Sequence, residues 1–284
     1  MNQSINTLFT IPGRSARESA EDVEAVVNYV IPPLGRNVVH VAPVGTGEAR
    51  RTAEYAPTPA AIRDARAARS AHTLDDTGFA LGRQVSAVAD FNDDDEVRAV
   101  YYPEMESLLR EATGASSVVV FDHNVRTDGG ILASNSRVPV RIVHNDYTEK
   151  SGPQRVTALL GEGRAAKLLQ RRFAIVNVWR SIAGVVRTAP LAVIDARSVC
   201  SSDLVPTDLV YQDRIGEIYE VAGNPSHRWY YFPNMGEEEV LLIKGYDSRG
   251  DVAGFTPHSA FDYPGTPTDA PPRRSVEIRS LVFF

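Results

Sequence analysis

The sequence predicts a mainly β fold with flanking helices (α+β), closed as a β-barrel or jelly-roll. The main observation comes from the second half of the chain, where short β-branched or aromatic runs alternate with irregular turn residues such as Gly184 and Pro206. Helical spacing of apolar residues is confined to a few stretches, so the helices are expected to pack outside the barrel. The predicted strands of this half are residues 173–179, 191–195, 209–211, 217–221, 228–232, 240–246, 252–255 and 276–284.

The first half of the chain predicts fewer regular elements. The Ala-, Arg- and Pro-rich stretch 60–69 is interpreted as a solvated connector or a short helix. Acidic residues 92–96 precede apolar residues at helical spacing up to Gly114, which favours a capped helix over a calcium site. A second helix is expected over residues 153–170, interrupted at Gly161. The predicted strands are residues 26–31, 38–41, 78–81, 85–91, 117–121 and 138–143.

Length and composition predict one globular domain. The chain has 284 residues, and a hydrophobic content of 43% supplies ample material for a core. We expect residues 1–115 to form an N-terminal elaboration of strands and helices packed on a core of residues 116–284.

Charge, hydropathy and cysteine content exclude several classes of protein. A net charge of −6 without a dense Lys/Arg stripe argues against a nucleic-acid surface. No apolar run approaches the roughly 18 residues of a membrane helix. The single cysteine, Cys200, excludes an intrachain disulfide framework and fits a reducing cytoplasm. The Gly-Thr-Gly fragment at 45–47 lacks the third glycine of a dinucleotide-binding loop. A small-molecule substrate is therefore expected, with no nucleic-acid or membrane partner. The sequence does not decide whether the protein is a monomer or a homodimer.

A histidine and a carboxylate stand two positions apart at the end of an apolar run, as His144 and Asp146. On an extended backbone alternate side chains point to the same side, so these two can converge while Asn145 faces away. A third ligand from a distant part of the chain would complete a two-histidine, one-carboxylate site. Such sites hold non-haem iron(II) and leave coordination positions free for substrate and oxygen.

Two of the six histidines lie downstream of this pair and are candidates for the third ligand. His258 precedes the last predicted strand, and Arg279 lies on that strand. This order suits a histidine that binds iron and an arginine that holds the far carboxylate of a co-substrate through a bidentate ion pair. His227, which precedes an aromatic strand, is the alternative third ligand. Arg274 is the alternative clamp, and a structural ion pair with Glu277 is the alternative role of Arg279.

Seven short motifs together resemble the CmcJ/NvfI/AsaB-like oxygenase family. They are HNDY at 144–147, NVWR at 177–180, PLAVIDAR at 190–197, HRWYY at 227–231, YDS at 246–248, PHSAF at 257–261 and SVEIR at 275–279. Members of this family are non-haem iron(II), 2-oxoglutarate-dependent enzymes on a double-stranded β-helix (a jelly-roll or cupin-like core). One departure is Ser181, because relatives commonly have proline after the Trp-Arg pair.

The resemblance implies a set of site residues and co-substrates. His144, Asp146 and His258 would bind Fe(II), while 2-oxoglutarate and O2 would be the co-substrates. Arg279, helped by Arg274, would bind the distal carboxylate of 2-oxoglutarate. Residues expected to line the substrate pocket are Tyr147, Trp179, Arg180, His227 and the aromatic run Trp229, Tyr230 and Tyr231, with plain core packing as the alternative for this run.

The expected function is oxidation of a small-molecule natural product by hydrogen abstraction, which gives hydroxylation, desaturation or a related outcome. The alternative functions are a metal-dependent hydrolase on a β-barrel and a binding protein that does no redox chemistry. The motifs do not select the product, because that depends on how the substrate carbon is placed beside the metal.

Overall fold

The fold is a double-stranded β-helix with helices outside it, as the sequence predicts. The computed structural model describes residues 22–41, 49–129 and 136–284. Its sixteen strands form two sheets, one of ten strands and one of six. They are β1 (Val23–Val30), β2 (Asn37–His40), β3 (Arg50–Arg51), β4 (Tyr55–Asp64), β5 (Phe79–Arg83), β6 (Ser117–Thr127), β7 (Ser136–Arg137), β8 (His144–Asn145), β9 (Phe173–Ser181), β10 (Leu191–Ile194), β11 (Leu204–Val210), β12 (Ile215–Val221), β13 (Trp229–Tyr231), β14 (Glu239–Asp247), β15 (His258–Ala260) and β16 (Arg274–Phe283).

Eight of these strands form the double-stranded core. In the ten-stranded sheet, β13, β10, β15 and β8 are neighbours in that order, and in the six-stranded sheet β14, β9, β16 and β6 are neighbours. The chain crosses between the two sheets repeatedly, which is the pattern of a jelly-roll. The inner faces meet in an apolar cluster to which Trp179 and Leu241 come from one sheet and Val193 from the other.

The N-terminal strands extend both sheets. β1 and β4 continue the ten-stranded sheet beyond β13, and β5 continues the six-stranded sheet beyond β14. The ten-stranded sheet curls back on itself, because β1 forms bridges to Ile142 and Ala222. A second apolar cluster, which includes Tyr29, Trp229 and Tyr231, fills the space behind the sheet.

The prediction of a connector or short helix at 60–69 is wrong, since β4 spans Tyr55–Asp64. Alanine and proline carry weak strand propensity, yet β4 pairs with β1 on one side and with β13 on the other. Ile62 is completely buried there. Tertiary pairing therefore overrides the local composition.

Other strand limits also differ from the prediction. β5 continues through Gly82 to Arg83, beyond the predicted limit at residue 81, and residues 85–91 are irregular, with Val85 67% exposed. Residues 252–255 form no strand, and Pro206 lies inside β11 instead of in a turn.

Residues 138–143 contribute a single bridge at Ile142, so the regular strand β8 is short. β15 was missed because three residues show no alternation. Residues 45–47 lie outside the described residues.

The helices lie where the sequence places them. Asp93 caps the turn Asp94–Glu96 by accepting the backbone N–H groups of Asp95 and Glu96. The chain continues through a π-helical stretch, Val97–Tyr101, into α1 (Tyr102–Thr113), which ends at left-handed Gly114. The second predicted helix is divided at Gly161, where φ is 74°, into α2 (Ser151–Leu160) and α3 (Glu162–Leu168). No helix among the described residues is long and apolar enough to span a membrane.

Replacement of Ile62 tests the assignment of β4. We expect Ile62→Ala to lower the free energy of unfolding by about 2–5 kcal/mol, because it leaves a cavity in the second apolar cluster. Val26→Ala is the control, since Val26 lies on β1 and is 52% exposed, and it should change stability by less than about 0.5 kcal/mol. Denaturant unfolding measures both. An equal, small effect of the two variants would contradict a buried β4.

Candidate metal centre

The structure brings His144, Asp146 and His258 together. His144 on β8 and His258 on β15 are paired directly across adjacent antiparallel strands, and their ring centroids are 4.5 Å apart. One possible ligand atom from each of the three residues lies within 4.8 Å of the others. A single ion between them could therefore contact all three side chains.

Hydrogen bonds to the backbone orient both imidazoles. His144 Nδ1 lies 2.7 Å from the carbonyl of Ile142, and His258 Nδ1 lies 3.0 Å from the carbonyl of Thr256. A carbonyl oxygen only accepts, so each Nδ1 carries the proton and each Nε2 presents a free lone pair. Burial, together with repulsion from His258, lowers the pKa of His144 to about 3. His144 is therefore neutral at physiological pH, as a metal ligand must be.

The carboxylate of Asp146 is held by two neighbours from the other sheet. Asn177 Nδ2 donates to Oδ2 at 2.7 Å, and Arg279 Nε donates to the same oxygen at 3.2 Å. Burial alone would raise the pKa of Asp146, but Arg279, the two imidazoles and Asn177 hold it well below its usual range. These bonds leave Oδ1 available, and it lies 3.8 Å from His144 Nε2.

Asn145 fixes the two parts of the site relative to each other. Its side chain is completely buried and donates to the carbonyls of Tyr147 and Gly245. Its Oδ1 accepts the backbone N–H of Thr256, two residues before His258. The segment that carries His144 and Asp146 is thereby tied to the segment that carries His258.

Arg279 is surrounded by carboxylates. Besides Asp146, its guanidinium contacts Asp122 at 2.9 Å and Glu277 at 3.3 Å. The pKa of Arg279 is raised well above its usual value, since these carboxylates outweigh the effect of burial. Arg274 does not reach this site. It lies on the opposite face of β16, where it donates to Asn92.

The donor set fits an iron(II) ion. Two neutral imidazole nitrogens and one carboxylate oxygen are the ligands of the two-histidine, one-carboxylate sites of non-haem iron oxygenases, which leave further positions open. The side chains of His144 and Asp146 are 11% and 12% exposed, so a small part of each is accessible to solvent.

Comparisons with known proteins show the family to which this chain belongs. A family model described as "Oxidoreductase/YMDC permease-like domain" matches residues 27–283. The hydroxylase/desaturase efuI of Hormonema carpetanum is 35% identical over 256 residues, which cover 81% of this chain and 85% of the relative. The Fe(II)/2-oxoglutarate-dependent dioxygenase nvfI of Aspergillus novofumigatus is 32% identical over 84% of this chain and 87% of its own length. A solved structure of the iron and alpha-ketoglutarate-dependent endoperoxidase NvfI superposes with a TM-score of 0.83 at 29% identity, covering 92% and 97% of the two chains.

The chain belongs to the NvfI-like family of Fe(II)/2-oxoglutarate-dependent oxygenases. It is an oxidoreductase that uses Fe(II) and 2-oxoglutarate and acts on a small molecule.

Register shows which aromatic residues of the oxygenase face the metal centre. Val193 on β10 is paired with His258, and Tyr230 on β13 is paired with Val193, so all three point to the same side of the sheet. Trp179 lies on the inner face of β9, two residues from Asn177. Tyr147 is buried beside α2, and its pKa is raised by burial.

Trp229 and Tyr231 do not line the metal centre. They alternate with Tyr230 and therefore face the second apolar cluster behind the sheet. Trp229 donates to the hydroxyl of Tyr29 there. The expectation that these two residues contact substrate is wrong, because Tyr230 is the residue of β13 on the face of the metal centre and its two neighbours point to the opposite face.

His227 is not part of the metal centre either. Its Nδ1 is 2.8 Å from the hydroxyl of Tyr29, and its Nε2 is 3.1 Å from Asp203. Both ring nitrogens are thus engaged behind the sheet. Within the described residues, the one cluster of three potential ligands consists of His144, Asp146 and His258.

Arg180 faces away from the centre. It was expected to line the substrate pocket, but its guanidinium donates to the side chain and carbonyl of Gln84 and to the carbonyl of Glu237. It also lies over the ring of Tyr101, with its carbon 5.6 Å from the centroid. These partners are neutral, so Arg180 anchors the strand end from outside the barrel.

The sequence did not select Asn145, Asn177 or Phe79 as site residues. Asn145 and Asn177 lie within the motifs HNDY and NVWR, whereas Phe79 lies in none of the seven motifs. Two-residue alternation from Trp179 along its strand would have identified Asn177, but it could not show which atom Asn177 contacts.

Replacement of Asn177 tests its support of Asp146. We expect Asn177→Ala to weaken Fe(II) binding by about 10–100-fold, because it removes a hydrogen bond that orients Asp146, the carboxylate that would hold the metal. Asn224→Ala is the matched control, since Asn224 also donates to a carboxylate, that of Asp203, but lies behind the sheet. Anaerobic iron titration measures both affinities. Equal iron affinities in the two variants would contradict the role of Asn177.

Proposed function

We propose that His144, Asp146 and His258 hold the iron of this oxygenase through His144 Nε2, His258 Nε2 and Asp146 Oδ1. The observation that carries the proposal is the convergence of these atoms within 4.8 Å, while both Nδ1 atoms and Oδ2 are already engaged. Nothing has to rearrange for a metal to bind, because each ligand is preorganised by its own hydrogen bond.

We propose that the substrate is a natural-product small molecule and that the reaction is a hydroxylation or a desaturation. The name of the relative efuI, hydroxylase/desaturase, supports this choice. Bound Fe(II) and 2-oxoglutarate supply the oxygen activation that such an oxidation needs.

The protein has three tasks in this reaction. The backbone carbonyls of Ile142 and Thr256 keep both histidines in the ligand tautomer. Asn177 and Arg279 keep Asp146 ionised and fix the direction of its free oxygen. The apolar wall, in which Trp179, Tyr230 and Phe79 pack together, excludes water and positions the substrate carbon.

We propose that Tyr147 borders the substrate on the other side of Asp146. Its pKa responds to the charges of Arg279 and Asp146, which supports a position beside the centre. We place the catalytic machinery in residues 116–284, because every proposed ligand and its direct partners lie there. The single cysteine supports a cytoplasmic enzyme.

Loss of iron in ligand variants tests the proposal. We expect His144→Ala, Asp146→Ala and His258→Ala each to lose stoichiometric iron, and with it the visible absorption that Fe(II) and 2-oxoglutarate give when mixed without oxygen. His227→Ala is the matched control, because it removes a buried histidine that also contacts a carboxylate, and it should retain iron. Retention of iron in the three ligand variants, or loss of iron in His227→Ala alone, would contradict the assignment.

A further inference from the structure

We propose that Gly78 and Thr256 form a joint between the two sheets that positions His258 for the metal, with Thr256 as a positioning residue of the oxygenase. This inference rests on the proposed function, because it concerns how the third iron ligand is held. Gly78 belongs to the joint because the hydroxyl of Thr256 occupies the space that any other side chain would need.

The segment that leads to His258 is not a strand. Residues 253–257 are irregular, and β15 begins only at His258 itself. His144 differs, because Ile142, two residues before it, forms a bridge to β1. The carbonyl that orients His144 is therefore fixed by backbone pairing, whereas the carbonyl of Thr256, which orients His258, depends on other contacts.

Thr256 is completely buried, and its three polar groups all have partners. Its backbone N–H donates to Asn145 Oδ1 at 3.1 Å, and its carbonyl accepts from His258 Nδ1 at 3.0 Å. Its hydroxyl donates to the carbonyl of Gly78 at 2.8 Å. A β-branched side chain has few rotamers, so fixing the hydroxyl also fixes the backbone of Thr256. The carbonyl that orients the imidazole is thereby held in place.

The carbonyl of Gly78 is shared by both sheets. It accepts the backbone N–H of Lys244, on β14 of the six-stranded sheet, at 2.8 Å. It also accepts the hydroxyl of Thr256, which leads into β15 of the ten-stranded sheet. Ala196, which follows β10, donates to the carbonyl of Thr77 at 3.0 Å and ties the same turn to the ten-stranded sheet again. The position of the third ligand is thus set relative to the sheet that also holds the carboxylate ligand.

Both the backbone conformation and the surroundings of Gly78 require glycine. Its φ is +87°, in the left-handed region that other residues rarely adopt. A Cβ atom there would overlap the hydroxyl oxygen of Thr256 and would lie 3.3 Å from Thr256 Cβ. A side chain would therefore break the hydrogen bond and displace Thr256. Gly114 offers a contrast, because its φ is +71° but a Cβ atom there would have no neighbour within 4 Å.

Variants of Thr256 test the joint through its hydroxyl. Thr256→Val keeps the shape of the side chain but removes the donor, and we expect it to weaken Fe(II) binding by about 10-fold, because the support of a ligand is lost. Thr256→Ser keeps the hydroxyl and should keep the wild-type affinity. Thr207→Val is the matched control, since Thr207 is also completely buried and donates to a different carboxylate, that of Glu220. Anaerobic iron titration measures these affinities.

The imidazole of His258 gives a second readout, in the iron-free protein, that a purely structural role of Thr256 would not change. Nitrogen-15 spectra of histidine-labelled protein distinguish the two neutral tautomers, and the signal that disappears in His258→Ala identifies this residue. We expect the proton on Nδ1 alone in the wild type and in Thr256→Ser, and a mixture of tautomers in Thr256→Val. His144 should keep its Nδ1 proton throughout, because Ile142 holds it.

Replacement of Gly78 tests the other half of the joint. We expect Gly78→Ala to weaken iron binding at least as much as Thr256→Val. The additional loss should be smaller when Gly78→Ala is introduced into Thr256→Ala, because the hydroxyl that the new side chain would strike is then absent. Gly114→Ala is the control for left-handed strain, since Gly114 ends α1. It should lower the thermal stability without changing the iron affinity. The Thr256 variants decide the question alone if Gly78→Ala does not fold.

The outcomes separate this inference from the proposed function. A less stable Thr256→Val with unchanged iron affinity and an unchanged His258 tautomer would overturn the joint and leave the iron site intact. Equal iron affinities of Gly78→Ala and Gly114→Ala would do the same. Retention of iron in His258→Ala would instead overturn the proposed function, and the joint with it.

Discussion

The buried carboxylate of Asp146 is the constraint on which the site depends. A carboxylate removed from water is unfavourable unless charges and hydrogen bonds compensate it. Asn177 and Arg279 supply that compensation from the opposite sheet. Both act on one oxygen, so the other oxygen remains free to bind metal. The same contacts join the two sheets of the barrel at the level of the metal centre, so the stability of the site and the closure of the fold are linked.

The topology explains why ligands so distant in sequence meet. β8 and β15 are neighbours in the ten-stranded sheet, and their direct pairing places His144 beside His258. Asn145 links the same two segments through Thr256 and the carbonyl of Gly245. The ten-stranded sheet thus provides the two histidines, while β9 and β16 of the other sheet provide the groups that hold the carboxylate. The short β8 delivers Asp146 just past its end, where the backbone leaves the sheet and the carboxylate can turn toward β9 and β16.

The sequence was sufficient for the fold class and most core strands, because apolar alternation is a local signal. The His-x-Asp spacing likewise brings His144 and Asp146 together locally, whereas the choice of His258 over His227 needed its position before the last strand and the family resemblance. The sequence was insufficient where the outcome depends on pairing. Residues 60–69 form part of a strand only because β1 and β13 lie beside them. The whole run from Trp229 to Tyr231 was assigned to the substrate pocket, because the sequence of a three-residue strand does not show which of its faces is inside. Register places only Tyr230 of this run on the face of His258. Arg279 was recognised as functional, but its contacts with three carboxylates arise from strand register.

Diffraction from crystals grown without oxygen in Fe(II) and 2-oxoglutarate, recorded at the iron absorption edge, tests the central claim most directly. The account predicts one interior anomalous peak in contact with His144 Nε2, His258 Nε2 and Asp146 Oδ1, with Asp146 Oδ2 still bound by Asn177 and Arg279. A peak beside His227 and Asp203, or an interior without iron between the two histidines, would contradict it.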